Sequence, residues 1–180
     1  MQDLETPRLR LRRFRPDDVD FVFDTYSRWD VQRFIGRVPR LMADRAEAIE
    51  RVDRYAVWDD EEPKGIWLIA DRKSGERFGT ALLKDLPASG PADPLQPSGE
   101  TEIGWHLHPD AWGRGIASEA AQRVLEYAFE AGLDRVLAVT HPENTASQAV
   151  ARRIGMRDEG LTDAYYNTTC ALLRIDRIHG

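Results

Sequence analysis

The sequence predicts an α/β protein, a mixed sheet covered by helices, and three observations carry that prediction. Strand-like and helix-like segments follow one another in the order β-α-α-β-β-β-α-β-α-β-β, and interleaving of this kind puts helices onto a sheet. The chain has 180 residues, enough for one core of useful size and too few for two. Apolar residues make up 42% and charged residues 31%, which is ordinary for a soluble globular chain. Residues 1–180 therefore read as a single domain.

The elements can be justified in order. Residues 6–15 contain "RLRLRRFR", where Leu9 and Leu11 alternate with Arg8, Arg10 and Arg12. That period predicts a half-buried strand with a solvated arginine face. In "PDDVDFVFDTYSRW", Pro16 and the aspartates suit a helix's first turn, and Val19, Val22, Phe23 and Tyr26 share one face. "RFIGRVPR" reads as a loop, and residues 43–58 as a second helix with Ala46, Ile49, Val52, Tyr55 and Ala56 on one side. Apolar runs at 66–70 and 78–83 flank "DRKSGE", whose Ser74-Gly75 marks a hairpin turn. Residues 87–99, with four prolines, read as a long flexible loop.

The second half opens with a strand over 100–108. A helix from about 116 follows, with Ala117, Ala120, Ala121, Val124, Leu125 and Ala128 at helical spacing and Gly132 as its stop. "DRVLAVT" is a short buried strand. "NTASQAVARRIGM" is a short helix with Asn144 as N-cap, and "TTCALLRID" is a last strand pairing with 158–166.

Several function classes are disfavoured. No run approaches the roughly 20 apolar residues that span a bilayer, and the first residues lack the apolar stretch of a secretory signal. Cytoplasm is the default compartment, and no membrane partner is expected. The single cysteine, Cys170, allows no intrachain disulfide and makes a cysteine metal site implausible, so no metal is expected. A net charge of −6 disfavours a general nucleic-acid binder.

The stretch "HPDAWGRGIASEA" (108–120) points to chemistry. Gly113 and Gly115 lie between a strand and a helix start, where unpaired N–H groups and the helix dipole favour an anion. Glycines let backbone approach such a guest, and Arg114 adds charge. Phosphate or pyrophosphate is the guest this predicts; the alternative is a tight turn with no ligand. A Walker loop is excluded, because no Gly-Lys-Ser/Thr occurs. A dinucleotide-binding oxidoreductase fits poorly, because Ser118 stands where its third glycine belongs and the motif comes late in the chain.

"GWHLHPDAWGRGIASEA" resembles the acetyl-CoA-binding motif of the GCN5-related N-acetyltransferase (GNAT) superfamily, Arg/Gln-x-x-Gly-x-Gly/Ala at a helix start. Here it reads Trp112-Gly113-Arg114-Gly115-Ile116-Ala117, with tryptophan in the first position. "ETPRLRLRRFRPDD" and "HPENTASQAVARRIGM" resemble the same superfamily, in the branch of bacterial ribosomal-protein N-terminal acetyltransferases. The similarity runs over about residues 5–176.

The resemblance implies a mostly antiparallel sheet of about seven strands, splayed in the middle, with helices on both faces. It implies acetyl-CoA as co-substrate and direct transfer of the acetyl group to a primary amine, a protein N-terminus or a small amine. The backbone from Gly113 to Ser118 would hold the pyrophosphate, with Trp112 at the motif's start. The backbone amide of Leu107 would polarise the thioester carbonyl, and pantetheine would pair with the splayed strand edge. Asn144 would contact the pantetheine arm, and Ser147 would serve the departing thiolate, since the tyrosine many members use is replaced by Ala151. Glu102 is the expected base, with Glu100 and His106 as alternatives. The acceptor side would draw on the first two helices and last two strands, which hold Trp29, Phe34, Arg37, Trp58, Tyr165 and Tyr166; "RWDVQRFIG" is the expected substrate-facing segment. A non-catalytic acyl-CoA-binding module is the rival reading. A homodimer could form at an exposed sheet edge or the long loop.

Overall fold

A computed structural model describes residues 1–57 and 62–178. Eight strands form one sheet in the order β1-β2-β3-β4-β5-β6-β8-β7. They are β1 (Leu4–Glu5), β2 (Leu9–Arg12), β3 (Gly65–Asp71), β4 (Arg77–Pro87), β5 (Pro97–Leu107), β6 (Arg135–Thr140), β7 (Arg157–Thr162) and β8 (Cys170–Asp176). The helices are α1 (Val19–Tyr26), α2 (Trp29–Gln32), α3 (Arg45–Ala56), α4 (Ile116–Glu130) and α5 (Thr145–Arg153), with 3₁₀ turns at Pro16–Asp18 and Pro109–Ala111. The count of eight exceeds the expected seven by β1, whose two residues are too short to show a period. The first helix ends at Tyr26, and α2 joins Trp29, which the sequence reading gave to that helix, to residues 30–32, which it left unassigned.

Every neighbouring pair is antiparallel except β5 and β6, which are parallel. Strand alternation divides the core between the two faces. Trp67, Ile69, Ala81 and Leu83 point to the face covered by α4, with Ala120, Ala121, Val124 and Leu125 opposite. Ile66, Leu68 and Leu82 point to the face covered by α1 and α3, where Val22, Tyr26, Ala48 and Val52 pack. Trp67 is wholly buried, and its indole N–H donates to the Gln2 carbonyl at 2.9 Å.

Leu9 and Leu11 are buried as the alternation predicts, with Arg8 and Arg10 exposed. Arg12 departs from it: its guanidinium is buried against the fully buried Asp18 at 2.8 and 2.9 Å. Asp18 also accepts from Arg77 Nε at 2.6 Å and from the Arg15 N–H at 2.8 Å. Burial alone would raise the Asp18 pKa, but these four donations hold it below the ordinary carboxylate range. The group ties β2 and β4 to the start of α1.

The proline-rich segment is shorter and more tied down than its composition predicts, since β4 runs to Pro87 and β5 begins at Pro97. Ser89 N–H donates to the Ala164 carbonyl at 2.8 Å, and Asn167 bonds both polar backbone groups of Gly90 at 2.8 and 2.9 Å. These bonds anchor it to the β7–β8 turn. Among the described residues no helix is long and apolar enough to cross a membrane.

Replacing Asp18 with alanine leaves the buried Arg12 guanidinium without its carboxylate and takes from Arg77 one of two, since Arg77 also pairs with Asp17 at 2.9 Å. The expected cost is about 3–5 kcal/mol, the range for breaking one side of a buried ion pair. Urea unfolding at pH 7 would measure it, and a loss below about 1 kcal/mol would contradict the role given to this cluster.

Candidate active site

Strands β5 and β6 pair at a single position, Glu102 with Leu137. Beyond it they part, and residues from both line one cavity of about 600 Å³: Ile103 to Leu107 from β5, and Ala138 to Thr140 from β6. Below the parting, Arg135 Nη1 reaches Glu100 Oε1 at 3.4 Å and ties the closed end. The His108 N–H donates to the Phe78 carbonyl of the β4 side at 2.9 Å. Backbone groups of a strand alternate in direction, so the Leu107 N–H turns the other way, toward β6 and the cavity.

One end of the cavity is the start of α4. Gly113 and Gly115 have φ of 70° and 75°, the left-handed region that side chains disfavour. Gly115 is the N-cap and no side chain caps the helix, so the first-turn N–H groups remain available to an anion. Gly113, Gly115, Ile116, Ala117 and Ser118 all line the cavity. Arg114 does not: its guanidinium lies 4.7 Å over the Phe78 ring and 3.6 Å from Glu76. The charge at this end comes from Arg153 of α5, which lines the cavity and donates to Ser118 Oγ at 2.9 Å. The sequence reading missed Arg153, although helical spacing from Ser147 through Val150 leads to it.

Trp112 explains its own departure from the motif. Its indole N–H donates to the Leu107 carbonyl at 3.0 Å, so the side chain fixes the backbone of the residue beside the parting. At α5, Asn144 Oδ1 accepts from the Ser147 N–H at 3.1 Å, the cap the sequence predicts. Asn144 and Ser147 both line the cavity, and the Ser147 hydroxyl has no protein partner among the described residues.

Glu102 lies apart from these residues. It is buried outside the cavity lining, accepts from the Tyr166 hydroxyl and pairs with Lys84 Nζ at 3.0 Å. Burial and the adjacent carboxylate push the Tyr166 pKa up, so that phenol stays a donor. Glu100 is engaged with Arg135. His106 does line the cavity, with Nδ1 3.1 Å from Tyr26 Oη, which lies 3.1 Å from Thr80 Oγ1. Burial, with the positive charges of Arg51 and Lys84, lowers the His106 pKa to about 4.

Of the segment expected to face the acceptor, Asp30, Val31, Arg33, Phe34 and Ile35 line the cavity. The Phe34 ring lies 5.4 Å from that of His141, bridging from α2 to the loop after β6. Trp29 and Arg37 sit exposed outside the lining, and Tyr165 pairs with Ala88. Trp58 lies outside the described residues.

The family model described as an acetyltransferase (GNAT) domain matches residues 8–157. The chain belongs to the GNAT acetyltransferase family. It is an acetyl-CoA-dependent acyltransferase by that membership. An uncharacterized N-acetyltransferase of Bacillus subtilis, YoaA, is 31% identical over 163 residues, 90% of this chain and 86% of its own. A GNAT-family acetyltransferase from Bacillus anthracis superposes with a TM-score of 0.76 at 25% identity, over 97% of this chain and 98% of that one. RimL, a ribosomal L7/L12 α-N-protein acetyltransferase solved with coenzyme A, shares the GNAT fold with a TM-score of 0.73 at 19% identity, over 97% and 98%.

His106 gives this acetyltransferase a testable acid response. Its pKa is about 4 in the folded chain and about 6.5 unfolded. Between these values the unfolded state holds the proton, so its contribution is complete above pH 6.5 and is lost as pH falls toward 4. Unfolding free energy should drop by about 2 kcal/mol more between pH 7.5 and pH 5 in the wild type than in His106→Gln. Parallel slopes for the two proteins would contradict a neutral, buried His106.

Proposed function

We propose that the protein transfers acetyl from acetyl-CoA directly to a primary amine, in the cavity between β5 and β6. The parting of these strands beyond Glu102 and Leu137 carries the reading, because it leaves a β-strand edge beside an uncapped helix start. A ligand with an amide-bearing arm and a pyrophosphate fits both. Each end supports that fit: two left-handed glycines and Arg153 at one, the Leu107 N–H and the Ser147 hydroxyl toward the other.

Acetyl-CoA would supply an activated thioester carbonyl. The backbone N–H groups from Gly113 to Ser118, with Arg153, would hold its phosphates, and the N–H groups of β5 would pair with its arm. The Leu107 N–H would stabilise the charge that grows on the carbonyl oxygen as the amine nitrogen bonds to carbon. Trp112 would keep that donor in place through the Leu107 carbonyl. The Ser147 hydroxyl would donate to the thiolate as the carbon–sulfur bond breaks.

His106, and not Glu102, would face the amine. In the arrangement where the Tyr26 hydroxyl donates to Thr80, His106 would donate through Nδ1 to Tyr26 and keep Nε2 as an acceptor. A group with a pKa near 4 does not retain a proton from an amine of pKa about 8. His106 would therefore orient the amine, and the proton would leave through water. An α-amine suits this arrangement better than a lysine, whose pKa is about 10.4.

Titration with acetyl-CoA followed by a CoA-release assay over a panel of amines tests the reading. Saturable binding and turnover are expected. Binding without turnover on any amine would favour an acyl-CoA-binding module, and no binding would remove the site. Gly115→Val should abolish acetyl-CoA binding in a protein that still folds, because the side chain closes the approach to the helix start; valine at a φ of 75° should also cost about 1–3 kcal/mol of stability. Trp112→Phe should lower kcat about fivefold, the worth of one neutral hydrogen bond, with acetyl-CoA affinity little changed. A loss of affinity with kcat intact would show that Trp112 binds coenzyme and does not position Leu107.

A further inference from the structure

We infer that the acceptor is a polypeptide whose N-terminal amine is followed closely by acidic residues, and that Arg33 and Arg37 recognise those acids. This rests on the acetyltransferase reading given above. The segment from Arg28 to Arg40 carries four arginines against one acid, Asp30, in a chain whose net charge is −6. Arg28 is taken up by Asp24 at 2.7 Å and Arg40 by Glu47 at 2.9 Å. Arg33 and Arg37 are exposed and have no carboxylate partner among the described residues.

Many arginines of the surface find acids, as Arg8 does in Glu119, Arg45 in Asp20, Arg72 in Glu5 and Arg157 in Asp176. Arg51 and Arg54 of α3 meet rings and no carboxylate among the described residues. Arg33 and Arg37 are set apart from these by their place, on the segment that reaches the cavity mouth. Arg33 lies in the cavity lining, with its guanidinium 4.7 Å over the Phe34 ring, which limits its motion and keeps its charge at the mouth. Four positions on, Arg37 lies outside the lining. A ligand meeting both charges therefore extends from the cavity onto the surface.

The apolar content of the same stretch favours a polypeptide over a small amine. Trp29 is 54% exposed, Val38 75% and Leu41 44%, three large apolar side chains within thirteen residues beside the two free charges. Together they make a surface with room for side chains of both kinds, apolar and acidic. The net charge of −6 opposes a polyanion as a whole, so attraction of one would come from the arginines at the lip of the cavity.

The test uses three octapeptides with a free N-terminus that differ only at positions two to four, which are acidic, amide or lysine side chains. At low salt kcat/KM for the acidic peptide should exceed that for the amide peptide about tenfold, with the lysine peptide poorest, and 0.5 M NaCl should shrink the ratio. In the Arg33→Gln, Arg37→Gln double variant the acidic-to-amide ratio should fall to within about twofold, and the double lysine variant should restore most of it. A wild-type ratio near one, or a ratio unchanged in the double glutamine variant, overturns the inference. Free glutamate matching the acidic peptide in kcat/KM overturns the polypeptide assignment. Turnover is not required for the decision: the acidic peptide, labelled at its C-terminus, can be titrated by fluorescence anisotropy against protein saturated with acetyl-CoA. Arginine-dependent binding without turnover would uphold acidic recognition and sink the acetyltransferase reading. No binding and no turnover would sink acidic recognition.

Discussion

The structure depends on the failure of two adjacent strands to stay together. β5 and β6 share one paired position, and each is held firmly on its other side, β5 by β4 and β6 by β8. Because the outer pairings are antiparallel and long, neither strand can rotate back to close the gap without losing its own ladder. Arg135 fixes the closed end by contacting Glu100 in β5 and Asp176 in β8. Beyond it, backbone N–H and C=O groups face each other across a distance they cannot bridge. Such groups require partners from elsewhere. Trp112 supplies one, for the Leu107 carbonyl, and the remainder make the edge on which an extended ligand can pair.

The same gap explains how charge is arranged. An anion end built from side-chain cations would have to draw them from a chain that pairs most of its arginines. Arg114 shows this, since it turns to Glu76 and Phe78 although it sits between the two glycines. The helix start needs no such cation, because its first-turn N–H groups are unpaired and Gly115 carries no side chain to cover them. Arg153 adds charge from a second helix, and its bond to Ser118 ties α5 to α4 across the end of the cavity. Beyond the cavity, the Asp18 cluster fixes α1 to β2 and β4, and so sets the base from which α2 reaches the mouth.

Legibility in the sequence followed the physical origin of each feature. Periodicity reports which face of an element is buried, so the order of the main strands and helices and the core positions Leu9, Leu11, Val22, Val124 and Leu125 could be read directly. Glycines at positive φ and the Asn144 cap were readable because backbone geometry demands particular residues there. Periodicity does not report partners. Arg12 has the spacing of a wet face and is buried, because Asp18 arrives from the next element to receive it. Glu102 has the right position in sequence for a base and is already engaged, because Lys84 and Tyr166 come from 18 residues before and 64 after. Trp112 stands where the motif has Arg or Gln, and its indole N–H donates to the Leu107 carbonyl, a contact that spacing in the sequence does not report.

The proposed donor and acceptor sides of the cavity differ for the same reason. The donor side is made mostly of backbone: a helix start, a strand edge, and glycines that expose both. Its chemistry constrains residue type, and residue type can be read. The acceptor side is made of side chains on a short helix and the turn after it, and almost any residue can occupy such positions without disturbing the fold. What marks Arg33 and Arg37 is their place at the mouth and the carboxylates they do not meet there, while Arg28 and Arg40 of the same segment meet theirs. An absent partner has no signature in sequence; it becomes visible only when every neighbour has been placed. On the proposed reading, charges left unpaired at the mouth would carry specificity, as backbone left unpaired within the cavity would carry catalysis.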